Sequence, residues 1–384
     1  MRIADLEQLV AAHEERLKDR VRELVEIESP SDDKEAVDRA GRLVQGWAEG
    51  LGAKLRRHRQ QAYGDVLELR FGPEPSRKSS NGAGPNRVLL LGHLDTVWPL
   101  GTLRKMPWKE ANGRLSGPGV LDMKSGVVMA IEAVAALRSL NVQRPVTLLL
   151  VSEEEVGSPI SRPITESLAI DSSAVLVLEP AQGLACKTAR KGVGAYTLRV
   201  EGVAAHAGVD FELGHSAVRE MARLVEKVSG FTDLARGLTV NVGVIAGGTR
   251  SNVVPAECVA QVDVRIRRVR DADRVERSFA ALNVTDPACR LTVSGGINRP
   301  PMERKQGTVK LFRLARRLAA ELGLDLQEAA TGGGSDGNFT AAMGVATLDG
   351  LGAVGAGAHA PQEHVLTRHL VQRTALLAGL LSAI

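Results

Sequence analysis

Four short runs in which apolar residues do not alternate with polar ones, at 88–91, 146–151, 174–178 and 345–348, constrain the fold of this chain most. A strand with one wet face alternates, whereas a strand covered on both faces reads as a continuous apolar run. Between the first two runs, residues 124–140 place Val127, Val128, Ile131, Val134, Leu137 and Leu140 near helical spacing. Strand, helix and strand in that order predict an α/β sheet with helices packed on it. Upstream, Leu6, Leu9, Val10, Leu17, Val21, Leu24 and Val25 predict an N-terminal helix. Ala36, Ala40, Leu43 and Trp47 predict a second one behind Ser31-Asp32-Asp33. Residues 65–71 alternate like a strand, and 72–86, rich in Pro, Ser and Gly, read as a mobile surface loop.

From about Lys191 the pattern changes. Tyr196, Leu198 and Val200 face one way, and Thr197, Arg199 and Glu201 the other. A helix at 216–228, strands at 238–245 and 258–266, a helix near 271–282 and a strand at 289–293 follow. The order β-α-β-β-α-β is that of a ferredoxin-like unit with helices on one sheet face. Apolar runs resume after Pro300, so a second domain is expected over 191–299, inserted between 1–190 and 300–384.

A chain of 384 residues with 44% hydrophobic residues has material for two cores, not for a disordered chain. Only 3% are aromatic, too few for platforms that stack single-stranded nucleic acid. Lys and Arg number 49 against 45 Asp and Glu, with no long single-sign block, so no nucleic-acid partner is expected. The charged start lacks the apolar core of a signal peptide, and no run approaches the roughly 18 apolar residues of a membrane span. Cys186, Cys258 and Cys289 are odd in number and widely spaced, which suits a reducing cytoplasm.

Each apolar run delivers a metal-capable side chain at or after its carboxyl end, where open α/β sheets bind ligands. These are His93 and Asp95, then Glu153-Glu154-Glu155, then Glu179, and, through a Gly-rich loop, His359. Asp122 precedes the helix at 124–140. Converging carboxylates repel one another unless cations neutralise them. A nitrogen and oxygen donor set without cysteine suits Zn2+, with Co2+ or Mn2+ as substitutes. Five such side chains suit two ions sharing one carboxylate, which activate water and polarise a carbonyl.

At these residues the chain resembles the M20 metallopeptidases, and within them the glutamate carboxypeptidase branch. The resemblance runs in order through His93-Leu94-Asp95, Gly119-Val120-Leu121-Asp122-Met123-Lys124, Glu153-Glu154-Glu155-Val156-Gly157-Ser158, Leu178-Glu179-Pro180 and Gly357-Ala358-His359. It implies a zinc-peptidase-like three-layer α/β catalytic domain with an inserted ferredoxin-like α+β domain serving as lid and dimerisation surface. It also implies two Zn2+, with Asp122 bridging, His93 and Glu179 on one ion, and Glu155 and His359 on the other. Glu154 would be the general base, and Asp95 would hold His93 in its ligating tautomer. His206, in Ala205-His206-Ala207-Gly208, would polarise the substrate carbonyl, in several relatives from the partner subunit. Asn252 and Arg265 are candidates for gripping substrate, an Arg fork suiting a carboxylate. Arg299 and Lys187 match the branch more loosely. Gly333, in Thr331-Gly332-Gly333-Gly334-Ser335-Asp336, lies where backbone can approach a ligand closely.

Bland readings stand beside these. His-x-Asp alone is a common structural pair, three glutamates can be a solvated turn, and Asp122 can simply cap a helix. Asp263 and Arg265 share the polar face of a strand and can form a surface ion pair. The expected activity is hydrolysis of the amide bond of an N-acyl or N-aminoacyl amino acid with a free carboxylate, of the glutamate type. The expected assembly is a homodimer through the lid. Alternatives are an acetyl- or succinyl-amino-acid deacylase or a dipeptidase of the same family, and, in another class, a non-catalytic metal-binding dimer scaffold.

Overall fold

The computed structural model describes residues 2–74 and 87–384, which fall into two compact units. The first comprises Met1–Ala189, Arg304–Ala330 and Ser335–Ile384. Its main sheet has six strands, from edge to edge Lys54–His58, Val66–Phe71, Val146–Val151, Val88–His93, Ala174–Val177 and Thr347–Leu348. The last four are parallel, and the first two are antiparallel to their neighbours.

Successive residues of the apolar runs enter different cores. Leu90, Leu148, Leu150 and Leu176 join one side, with the helices Ser125–Ser139 and Leu370–Ala383. Leu89, Leu91, Leu149, Val151, Val175 and Val177 join the other, with Leu168 and Ala169 of the helix Arg162–Ile170. The result is the expected three-layer arrangement.

Three local expectations change. The N-terminal helix is two helices, Ile3–Ala11 and Glu14–Val25, because His13 leaves helical geometry (φ −123°, ψ 23°). The strand Val66–Phe71 buries both faces, since Leu67, Leu69 and Phe71 enter one core and Val66 the other. Its Glu68 is fully buried and held by His58 and Arg70. The run at 345–348 yields only the two-residue strand Thr347–Leu348. The loop expected over 72–86 lies, from residue 75 on, outside the described residues.

The second unit comprises Arg190–Glu303 and Thr331–Gly334. Its four antiparallel strands stand in the order Thr239–Gly247, Glu257–Ile266, Gly192–Glu201 and Arg290–Arg299. Tyr196, Leu198 and Val200 point into a core with Met221, Leu224 and Val228 of the helix Ala217–Ser229 and Phe279 of the helix Ala272–Ala280. Phe279 stacks on Tyr196 with ring centroids 3.8 Å apart. The edge strand Thr239–Gly247 carries a bulge and leaves Val244 and Ile245 exposed. Among the described residues no helix is long and apolar enough to cross a membrane.

Candidate metal centre

His93 ends the strand Val88–His93. Glu179 follows Ala174–Val177 on one parallel neighbour, and Glu155 lies in the turn after Val146–Val151 on the other. Beyond the carboxyl ends of adjacent parallel strands, such side chains gather at one rim. Asp122 reaches the same place from the turn Val120–Lys124, ahead of the helix Ser125–Ser139. Two glycines make that turn fit. Gly119 has φ 72° and a Cβ there would lie 2.5 Å from Thr96 Cγ2; a Cβ on Gly126 would lie 2.2 Å from the Leu178 carbonyl oxygen. The helix start therefore packs directly on the strand end that bears Glu179. His359 stands between the paired strands Gly355–Ala356 and His364–Leu366, with φ 61°. Few non-glycine residues adopt that left-handed backbone, and those that do concentrate at functional sites.

The five side chains form two sets that share Asp122. His93, Asp122 and Glu179 make one; Asp122, Glu155 and His359 make the other, with the ligand atoms of each set within 4.8 Å of one another. Asp122 Oδ1 is 3.2 Å from His93 Nε2, and Oδ2 is 3.3 Å from His359 Nε2. Glu179 Oε1 is 3.7 Å from His93 Nε2, and Glu155 Oε1 is 3.2 Å from His359 Nε2. Ligand atoms at about 2.0–2.2 Å from a zinc ion are separated by distances of this order.

Electrostatics make the same demand. Burial would lower the pKa of His93, but Asp122 and Asp95 outweigh it and hold the imidazole well above its usual value. Asp122 and Glu155 raise His359 to about 10. Burial would raise Asp122, yet the two histidines keep it below the usual carboxylate range. Three carboxylates in a small volume draw two positive charges onto the imidazoles, and divalent cations between the same atoms meet that need. The donor set fits such ions.

The supporting groups are specific. His93 Nδ1 lies 2.9 Å from the Asp95 backbone carbonyl and 3.5 Å from its carboxylate, so the nearer tautomer-setting contact is the backbone. The Asp95 carboxylate instead accepts hydrogen bonds from Ser31 Oγ (2.6 Å) and from the Glu154 and Glu155 N–H groups (both 3.1 Å). Of the three consecutive glutamates, Glu153 is fully buried and accepts from the Ile160 and Ser161 N–H groups and from Ser152. Glu154 is half-buried at the start of the turn Glu154–Val156.

Sequence reasoning missed Glu363. It is fully buried and accepts from the Gly119, Leu121 and Asp122 N–H groups and from Trp98 Nε1. Its spacing of four residues from His359 was the available signal, but no apolar pattern marks its burial.

Of the other expected residues, all but Lys187 belong to the second unit. In the second unit His206 is exposed, and its Nδ1 accepts from the Gly208 N–H. The Asn252 carbonyl accepts from the Ala207 N–H, which sets these two loops side by side. Arg265 is bound by Asp263 through Nε and Nη2, the ion pair weighed above, and donates from Nη1 to the Gly332 carbonyl. Arg299 is buried beside Gly334, and Arg190 donates to the Gly333 and Gly334 carbonyls. Lys187, in the first unit, exchanges backbone hydrogen bonds with Asp349.

The family model described as Peptidase family M20/M25/M40 matches residues 89–383. Carboxypeptidase G2 from Pseudomonas sp. (strain RS-16) is 28% identical over 367 residues, covering 93% of this chain and 86% of that protein. A succinyl-diaminopimelate desuccinylase from Xanthomonas campestris is 27% identical over 328 residues, covering 80% of this chain and 86% of that protein. Among solved structures, aminopeptidase PepT from Bacillus cereus superposes with a TM-score of 0.75 at 20% identity, covering 96% of this chain and 98% of that one.

Proposed function

The chain belongs to peptidase family M20/M25/M40, and from that premise we propose that it is a two-zinc carboxypeptidase. Its substrate is an N-acyl or N-aminoacyl amino acid with a free carboxylate, of the glutamate type. Membership of a family of hydrolases acting on peptide bonds sets aside the non-catalytic scaffold. The observation that carries the two-ion reading is the placement of Asp122, whose two oxygens each face a different histidine at 3.2 and 3.3 Å.

Bound divalent ions supply Lewis acidity, which lowers the pKa of water and polarises the scissile carbonyl. The chain does the rest. Glu154 takes the proton from the attacking water and delivers it to the leaving amine, held in place through its N–H by Asp95. His206 donates a hydrogen bond to the developing oxyanion. Arg265, Arg299, Lys187, Asn252 and the Gly333 backbone bind the polar groups of the substrate. For Arg265, this requires exchanging the Asp263 carboxylate for that of the substrate. Similarity to carboxypeptidase G2 supports the glutamate-type substrate. The exposed edge strand Thr239–Gly247 supports a homodimer through the inserted unit. The three buried free cysteines support a reducing, cytoplasmic setting.

The test is a substrate panel on zinc-loaded protein, with metal stoichiometry measured alongside. Acyl-glutamates are expected to be hydrolysed faster than acetyl- or succinyl-amino acids, dipeptides and C-terminally amidated analogues. Chelation is expected to abolish hydrolysis, and Zn2+, Co2+ or Mn2+ to restore it. Equal rates on amidated and free-carboxylate substrates would remove the carboxypeptidase reading.

A further inference from the structure

We propose that Glu363 is a positioning residue that ties the segments bearing His93, Asp122 and His359 into one rigid metal-binding frame. This rests on the reading that Asp122 is the carboxylate shared between two ions.

Glu363 is fully buried, and both of its oxygens are engaged by N–H donors. Oε1 accepts from Leu121 N–H at 2.8 Å and Asp122 N–H at 3.1 Å. Oε2 accepts from Gly119 N–H at 3.0 Å and from Trp98 Nε1–H at 2.9 Å. Each donor belongs to a ligand-bearing segment. Gly119, Leu121 and Asp122 form the turn that aims the shared carboxylate. Trp98 follows His93 by five residues, in the loop leaving the same strand.

Glu363 itself closes the His359 loop. Its N–H donates to the Ala360 carbonyl at 2.9 Å, and the Ala360 N–H donates to the Gly357 carbonyl at 2.9 Å. The strand pairing of Gly355 with Val365 and of Ala356 with His364 holds the base of that loop. The strand His364–Leu366 also pairs with Arg114–Ser116, just before the Asp122 turn. A carboxylate accepts four hydrogen bonds without donating any, and no neutral side chain of this size does so. Loss of Oε1 therefore releases the Leu121 and Asp122 N–H groups, and loss of Oε2 releases Gly119 together with Trp98, so either loss loosens the Asp122 turn from the His359 loop. Both ions are affected, because Asp122 serves both.

Glu363→Gln keeps size and shape but turns an NH2 group toward two N–H donors. The test compares wild-type and E363Q protein by chelator-competition metal affinity, by the visible spectrum of the cobalt-loaded form, and by kcat and KM. The expected result is about 10–100-fold weaker binding of both ions, the scale for lost outer hydrogen bonds at metal sites. An altered cobalt spectrum and a lower kcat at nearly constant KM are expected with it. Folded E363Q with a reduced melting temperature but wild-type affinity and spectrum would overturn the proposal, because Glu363 would then only satisfy buried backbone. Should E363Q not fold, Trp98→Phe removes one donor and leaves the three backbone bonds. It should weaken metal binding severalfold and shift the cobalt spectrum, and no change in either would overturn the proposal. Wild-type protein that held no ions would overturn the two-ion reading as well, a result distinct from an unaffected variant.

Discussion

Glu153, Glu154 and Glu155 are chemically identical and consecutive, yet the structure gives them different surroundings. Glu153 is sealed among N–H donors and Ser152, Glu155 faces His359, and Glu154 opens the turn with its N–H on Asp95. Glu154→Gln should lower kcat by about 10²–10⁴, the range for general acid–base catalysis, with both ions retained. Loss of metal in that variant, or unchanged kcat, would reject the assigned base. Asp95→Asn puts an NH2 group against one of the N–H donors of the Glu154–Glu155 turn, and metal affinity should fall by about 10–100-fold. Isothermal titration of the stripped protein checks this, and unchanged affinity would show that the backbone carbonyl on His93 suffices. The five side chains that the structure gathers into two candidate metal-binding sets could be picked out in the sequence because each follows an apolar run or a glycine-rich turn. The surroundings of Glu153 and Glu363 could not, because a carboxylate turned toward backbone N–H groups leaves no periodic trace.

Elements show the same divide. The strands at 88, 146 and 174 could be read because burial on both faces demands unbroken apolar residues. The strand Val66–Phe71 was harder, since Glu68 and Arg70 gave it the appearance of a half-exposed strand. The break at His13 was hidden for a related reason: the apolar stripes Ile3–Leu6–Val10 and Leu17–Val21–Leu24 are each helical by themselves. The helix Lys34–Gly50 is fastened to the loop before Val66 by Lys34 Nζ, 2.9 Å from Asp38 and 2.7 Å from Asp65. Burial alone would raise Asp65 and lower Lys34, but their pairing outweighs it, so Asp65 is held down and Lys34 held up. A depressed carboxylate stabilises the fold above its unfolded pKa, and that contribution disappears as pH falls through the folded value. A raised ammonium stabilises below its unfolded pKa, and that contribution disappears as pH rises through the folded value. The fastening should therefore act between about pH 4 and pH 10 and fade on either side. Urea midpoints of wild type and Lys34→Met across that range should differ most near neutrality and converge at both extremes. A pH-independent difference would place the effect in packing instead of charge.

At the scale of the molecule, the change of pattern at Lys191 lies beside the start of the second compact unit at Arg190, but the attachments of that unit left no trace in the sequence. Residues up to Glu303 and the distant loop Thr331–Gly334 belong to the second unit, the latter through Arg190 and Arg265 on the Gly332, Gly333 and Gly334 carbonyls. Such long-range contacts have no local signature. The two units have separate hydrophobic cores, and all five metal-ligand candidates lie in the first. An ion that binds only the folded state stabilises by mass action, by about 2.7 kcal/mol at one hundred times its dissociation constant. That energy enters the unit that provides the ligands. Removing the ions should therefore speed amide hydrogen exchange in Val88–His93, Val146–Val151, Ala174–Val177 and the segments around Asp122 and His359. Exchange in Gly192–Glu201 and Glu257–Ile266 should stay as it was. Hydrogen-exchange mass spectrometry of metal-loaded and chelator-treated protein resolves these segments. Equal acceleration in both units would show that they unfold as one cooperative body, and no acceleration in either would mean that bound ions contribute nothing to the folded state.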